Sequence, residues 1–232
     1  MRLQSYLSKA GIASRRKVVE HIEAGLVTVN GQKVLEPGFA VSPDKDEIKY
    51  KDHPVRFQRK AYYAFHKPRG VITTTVDTHG RKTILDFFKD VPGRLYPVGR
   101  LDQDTSGLLI VTNDGDFANE IMHPSHGKAK IYELTLKERL SESQRTKAEK
   151  GLWVEGYQTR PCRIEPIKKA NSPLYLVTLY EGRKRQIREM MKIIQAEIVS
   201  LHRIQVGTLK LGHLKVGTYR PLTEEEIKAL TE

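Results

Sequence analysis

The chain has 232 residues, 38% hydrophobic and 29% charged, a length that suits one large domain or a small one joined to a medium one, and either can bury a core without covalent staples. Forty Lys and Arg against twenty-eight Asp and Glu leave a net charge of +12, a balance that favours polyanionic partners and makes nucleic acid the leading candidate. The lone Cys162, read as a structural thiol, excludes an intramolecular disulfide, no Cys/His cluster has zinc spacing, and no apolar run approaches the roughly 20 residues of a membrane span.

The opening MRLQSYLSKAG lacks the apolar stretch of a secretory signal, and a cytoplasmic location is expected. Leu3, Tyr6 and Leu7 recur at helical spacing until Gly11 stops them. Ser14 can cap a second helix, with Val18, Val19 and Ile22 as its apolar stripe and Gly25 as its end. Val27 and Val29 alternate with polar residues into Asn30-Gly31, a strong short hairpin signal; Val34 begins the return strand, and Asp46-Glu47-Ile48 leads into a last short one. The aliphatic residues read as a small core. Arg15, Arg16 and Lys17 put three cations at a helix start, against the positive end of its dipole, a conflict that a bound anion would relieve; a solvated face is the plain alternative.

Arg2-Leu3, the Ala13-Ser14-Arg15-Arg16 turn and Gly25-x-Val27-x-Val29-Asn30-Gly31 resemble an S4-type RNA-binding domain. The resemblance covers residues 1–58 and implies that Arg2, Arg15, Arg16 and Lys17 meet structured RNA through its backbone and shape more than its base edges. It indicates RNA without indicating chemistry. Asp52-His53-Pro54-Val55 and the basic Arg56–Lys60 run read as a linker, since proline breaks regular pairing, and a second domain is expected over residues 59–232.

In that second domain Tyr62–Phe65 reads as a buried strand running into Lys67-Pro68-Arg69-Gly70, and Val71–Thr75 as another strand. Further strands are expected at Leu108–Thr112, Tyr132–Leu136 and Leu174–Leu179, with helices at Asp116–Met122, Ser141–Lys150 and Gln186–Ile194. Strands and helices mix without βαβ alternation, which points to an α+β domain around a mixed sheet.

Gly99-Arg100-Leu101-Asp102-Gln103-Asp104-Thr105-Ser106-Gly107-Leu108-Leu109 concentrates charge in a polar loop that feeds an apolar strand. On residue types alone it is an acidic turn with permissive glycines. Asp102 and Asp104 alternate as a metal pair can, but the further acidic positions of a calcium loop are absent and no metal site is expected. Arg100 precedes Asp102 by two residues, so in an extended loop both side chains project to one side.

The pattern Gly99-Arg100-Leu101-Asp102-x-x-Thr105-x-Gly107-Leu108-Leu109 resembles the signature of RNA pseudouridine synthases. Lys67-Pro68-Arg69-Gly70, Asn113-Asp114-Gly115, Lys130-x-Tyr132, Gly182–Arg188 and Leu201-x-Arg203 follow the order of the ribosomal, RsuA-type branch. The resemblance implies a largely antiparallel mixed sheet with flanking helices, and Asp102 as the catalytic carboxylate acting beside the ribose. Attack on C1′ and proton removal from C2′ both use a carboxylate there, and the residues leave the two routes open. It further implies that Arg188 pairs with Asp102 and holds it in place as an anion, that Tyr132 stacks on the target base, and that Leu201 packs on the other face of that base. Arg100 would stand near the flipped nucleotide; Lys67, Arg69 and Lys130 would contact RNA or the site; Arg183, Lys184 and Arg185 would hold phosphate. His66 departs from the asparagine expected before Lys-Pro.

The expected activity is therefore isomerisation of one uridine in ribosomal RNA by a monomer that needs no cofactor. Asn113-Asp114-Gly115-x-Phe117-Ala118-Asn119 and His123-Pro124 favour 23S over 16S rRNA. The contrasting classes are a non-catalytic ribosome-assembly factor, which leaves the Asp102, Tyr132 and Arg188 set without a purpose, and an unselective basic protein whose binding would vanish at moderate salt.

Overall fold

Leu3, Tyr6 and Leu7 form the buried side of α1 (Leu3–Lys9), and Val18 and Ile22 that of α2 (Arg15–Glu23), whose first turn is capped by Ser14 Oγ accepting from Lys17 N. This is a computed structural model, describing residues 1–123, 127–167 and 172–232; Pro124 of the His123-Pro124 motif lies outside the described residues. The two helices cover a four-stranded antiparallel sheet of β1 (Val27–Val29), β2 (Gln32–Lys33), β3 (Ile48–Tyr50) and β4 (His53–Pro54), in the order β2-β1-β3-β4. Asn30 and Gly31 both take positive φ, +51° and +80°, as the expected tight hairpin requires. Asn30 also accepts from Glu47 N and donates to Asp46, which ties the hairpin to the start of β3.

The linker reading of residues 52–60 needs correction at its start. His53 and Pro54 pair with Tyr50 and Lys49 as a sheet edge, where the missing proline N–H costs nothing. The chain divides into two compact units. The first comprises Met1–Ala61 together with Asp90–Leu95 and Asn113–Gly115; the second holds the remainder.

The second unit is built on β5 (Tyr62–Lys67), β6 (Tyr96–Val98), β7 (Ser106–Thr112), β8 (Lys130–Leu136), β9 (Trp153–Val154), β10 (Tyr157–Gln158), β11 (Arg163–Pro166), β12 (Leu174–Leu179), β13 (Ile198–Val206), β14 (Leu209–Lys210) and β15 (Tyr219–Pro221). Its helices are α3 (Gly115–Met122), α4 (Glu142–Glu149), α5 (Gln186–Ile193) and α6 (Glu224–Thr231). Seven strands run β11-β12-β8-β13-β7-β5-β15, with β14 on β13 and β6 on β7; β9 and β10 form a separate hairpin. The pairings are antiparallel except β7 with β13, so the mixed, largely antiparallel sheet expected of an α+β fold is present. The near-continuous apolar run Gly107–Val111 is buried because β7 lies inside the sheet.

Val71–Thr75 is not a strand. Ile72 makes an isolated bridge to Thr83, and the segment is otherwise irregular, because Thr73 turns inward to bond the neighbouring loop instead of extending a ladder. Among the described residues no helix is long and apolar enough to cross a membrane.

Candidate active site

Asp102 sits in the loop joining β6 to β7, and three residues of the 67–73 stretch hold that loop. Thr73 Oγ1 donates to Leu101 O (2.7 Å) and accepts from Leu101 N (3.3 Å). Gly70 N donates to Gln103 O (2.7 Å), and Gln103 Nε2 donates back to Gly70 O (3.2 Å). Lys67, at the end of β5, lies beneath the loop with 0% of its surface exposed, and its ammonium donates to Thr105 O (2.8 Å), Pro68 O (3.0 Å) and Asp102 O (3.1 Å).

Burial pushes the Lys67 ammonium down to about 8, against the upward pull of the Asp104 and Asp102 carboxylates, while Arg203 adds to the lowering. Of the two contacts expected for Lys67, RNA or the site, the structure shows one to the loop of the site. Its three protons are engaged by protein carbonyls and none of its surface is open, so it positions the loop and has no donor left for RNA.

α5 brings the opposing charge. Its buried face of Gln186, Ile187, Met190 and Met191 orients the helix so that Arg188 reaches the loop. Arg188 Nη2 donates to Thr105 Oγ1 (3.1 Å) and pairs with Asp104 Oδ2 (3.0 Å), and Nε lies 3.7 Å from Asp102 Oδ2. The pair anticipated with Asp102 is therefore a long charge contact, and the closer partner is Asp104. Among the described residues Arg188 Nε is buried and finds no hydrogen-bond partner, so one donor stands beside Asp102 unsatisfied. Such bonds are commonly loose without substrate and tighten in the complex.

The basic segment before α5 is held from below. Arg183 N donates to Gln186 Oε1, Gln186 Nε2 donates to Glu181 Oε1 (2.5 Å), and Arg185 takes a left-handed conformation at φ +53°. The Arg183 guanidinium lies 4.0 Å from the centroid of the Tyr157 ring. Lys184 and Arg185 are exposed.

A cavity of about 250 Å³ opens between these elements, lined by Arg100, Asp102, Thr105, Tyr132, Leu201 and the 182–188 segment among others. The Asp102 side chain is 30% exposed into it. Tyr132 on β8 and Leu201 on β13 are buried and line the same cavity as Asp102, adding apolar surface to it. In the ladder Tyr132 faces Arg203, whose Nε donates to Leu108 O (2.8 Å). Gly107 stands across from Arg203 at φ +112°, and a Cβ there would fall 2.2 Å from Arg203 O, so the parallel junction requires glycine.

The structure thus brings together Asp102, Tyr132, Arg188, Arg100, Leu201, Arg183, Lys184 and Arg185 of the anticipated residues. Lys130, half-buried, lines a neighbouring cavity, and Arg69 is exposed outside both. Arg2, Arg15, Arg16 and Lys17 are exposed in the first unit, the last three in the first turn of α2. The sequence reading missed Asp104 as the partner of Arg188, and also Thr73 and Gln186. Thr105 carried a signal, as a fixed position of the loop motif; Thr73 carried none, being one of three consecutive threonines.

Comparison with known proteins accords with this geometry. Residues 61–192 match the family described as RNA pseudouridylate synthase, and residues 1–48 match the S4 domain. The chain belongs to the RNA pseudouridylate synthase family. Within that family it is 41% identical over 232 residues to ribosomal large subunit pseudouridine synthase B of Bacillus subtilis, covering 99% of this chain and 95% of the relative. It is 32% identical to the dual-specificity RNA pseudouridine synthase RluF of Escherichia coli, covering 98% of this chain and 77% of the relative. A crystal structure of a pseudouridylate synthase superposes with a TM-score of 0.72 at 30% identity, covering 99% of each chain. The α+β architecture and the synthase assignment expected from the motifs are both supported by these matches.

Proposed function

We propose that this protein isomerises one uridine of large-subunit 23S ribosomal RNA to pseudouridine, acting as a monomer in the cytoplasm. The observation that carries the reading is Asp102 open to a cavity walled by Tyr132 and Leu201 and backed by Arg188. The high identity to the Bacillus subtilis large-subunit enzyme, over almost the whole of both chains, supports the choice of RNA.

In this reading the target uridine leaves its stack and enters the cavity, its base lying between Tyr132 and Leu201. Asp102 acts at the ribose, as nucleophile at C1′ or base at C2′. The C1′–N1 bond breaks, the uracil rotates, C1′ rejoins at C5, the C5 proton leaves and N1 gains one. Atoms balance without a co-reactant. Arg188 orients Asp102, Arg100 stands by the extruded nucleotide, and Arg183, Lys184 and Arg185 meet phosphates; Arg69 extends that basic surface. Arg2, Arg15, Arg16 and Lys17 of the first unit bind structured RNA beyond the site.

Two measurements test this. Chemical mapping of pseudouridines in ribosomal RNA from a strain lacking the protein should show one 23S site lost, and an unchanged map would overturn the substrate. Asp102→Ala and Asp102→Asn should abolish pseudouridine formation while RNA affinity stays within a few-fold of normal; turnover by either variant would sink the assigned role.

A further inference from the structure

A second cavity, of about 560 Å³, lies against the catalytic one and shares Gly99, Arg100, Tyr132, Gly182 and Arg183 with it. It is more than twice as large, and within the range of roughly 300–1,000 Å³ typical of small-ligand sites. Asp102, Arg188 and Leu201 line the catalytic cavity alone, whereas Lys128, Lys130, Arg160 and Tyr180 line this one alone.

Its chemistry is that of a nucleotide site. Arg100, Lys128, Lys130, Arg160, Arg183 and Arg203 supply six cations, and among the described residues none of them forms an ion pair. The carboxylate in the wall, Glu181, is already engaged by Arg160 N (2.9 Å) and Gln186 Nε2. Lys130 is the sharpest case. Its half-buried ammonium donates to Lys128 O (3.1 Å) and has no carboxylate, and burial together with the nearby Arg203 lowers its pKa. A cation held out of water beside another cation calls for an anion. Tyr180, 46% exposed, presents an aromatic ring in the same wall, a surface on which a base can stack.

We infer that this cavity takes the nucleotide adjacent to the target uridine, with its base on Tyr180 and its phosphate on Lys130, Lys128 and Arg160. The inference rests on the uridine-isomerase reading, since Tyr132 would then separate the target base on one side from its neighbour on the other. Such a pocket makes the enzyme read a flanking nucleotide as well as the uridine.

The test uses full-length protein carrying Asp102→Asn, so that turnover does not intervene, and a synthetic RNA hairpin containing the mapped uridine. An abasic nucleotide replaces, in turn, the residue before and the residue after that uridine. At one of the two positions the abasic RNA should bind about tenfold more weakly, the scale of one lost base stack. Tyr180→Ala should weaken binding of the intact hairpin by the same factor and abolish the difference between intact and abasic RNA, whereas Tyr180→Phe should retain it. Arg160→Ala and Lys128→Ala should each lower the salt-dependence slope of binding by about one. Equal binding of intact and abasic RNAs at both positions, or an abasic penalty undiminished in Tyr180→Ala, would overturn the inference. Conversion of the unmodified hairpin by the native enzyme is scored separately, so a failure of the isomerase reading is distinguished from a failure of the pocket.

Discussion

Lys67 places a positive charge where no water reaches it, directly under the loop that presents Asp102. With its pKa at about 8 in the folded chain, against an ordinary 10.5, it binds fewer protons folded than unfolded between those values. Its charged form therefore opposes folding below about pH 8, and the penalty is relieved as pH rises towards 10.5. The loop responds in the opposite sense, because deprotonation weakens the bonds to Thr105 O, Pro68 O and Asp102 O. The expected outcome is a single-turnover rate that declines as pH rises through about 8 with no parallel loss of thermal stability from this group. Lys67→Met should be slow at every pH and lack that limb, and a native rate flat up to pH 10 would contradict the assignment. Arg188 is the complementary residue, divided between Asp104 at 3.0 Å and Asp102 at 3.7 Å. The sequence motif named Arg188 and Asp102, but not that Asp104 would hold the closer end of the guanidinium. Two carboxylates two residues apart in a loop look equivalent until its backbone path is known.

At the scale of elements, the site depends on the parallel junction between β7 and β13, where Gly107 and Arg203 are in register. Gly107→Ala would press a methyl group against Arg203 O and N, backbone atoms that cannot yield cheaply, at a φ that side chains avoid. A destabilisation of roughly 3 kcal/mol or more is expected, seen as a melting temperature about 10 °C lower and a fall in activity. An unperturbed melt in that variant would show that the junction tolerates a Cβ. The helices were legible: Ser14 caps α2 as its position suggested, and the ends of α3, α4 and α5 fall within a residue of the pattern. The Val71–Thr75 segment was not. Its β-branched run has strand propensity, yet Thr73 finds its partners in the Leu101 backbone, and a tertiary bond outweighs local preference.

At the scale of the whole molecule, we propose that residues 1–58 act as the RNA-binding domain and 59–232 as the catalytic one. Deleting residues 1–58 should weaken ribosomal RNA binding more than it disturbs folding of the remainder, and flatten the salt dependence by removing cations such as Arg15, Arg16 and Lys17. Some loss of stability is expected as well. The first compact unit also includes Asp90–Leu95 and Asn113–Gly115, and Arg94 Nη1 donates to Ala13 O (3.1 Å), a bond the truncation removes. Circular dichroism and a filter-binding titration check both halves, and aggregation of the truncated chain would count against the boundary.

The sequence by itself determined the family and the RNA partner and singled out Asp102 as the candidate carboxylate, because those follow from residue types at short, ordered spacings that survive as motifs. It also determined most helices and the Asn30-Gly31 hairpin, since caps and turns are local chemistry. Only the tertiary structure decided that Lys67 is a buried prop and not an RNA contact, that Arg188 leans on Asp104, that Gly107 must lack a side chain, and that a second basic cavity stands behind Tyr132. Those depend on which distant segments share a neighbourhood. Burial, unpaired charge and close backbone approach are properties of that neighbourhood, and no window along the chain contains them.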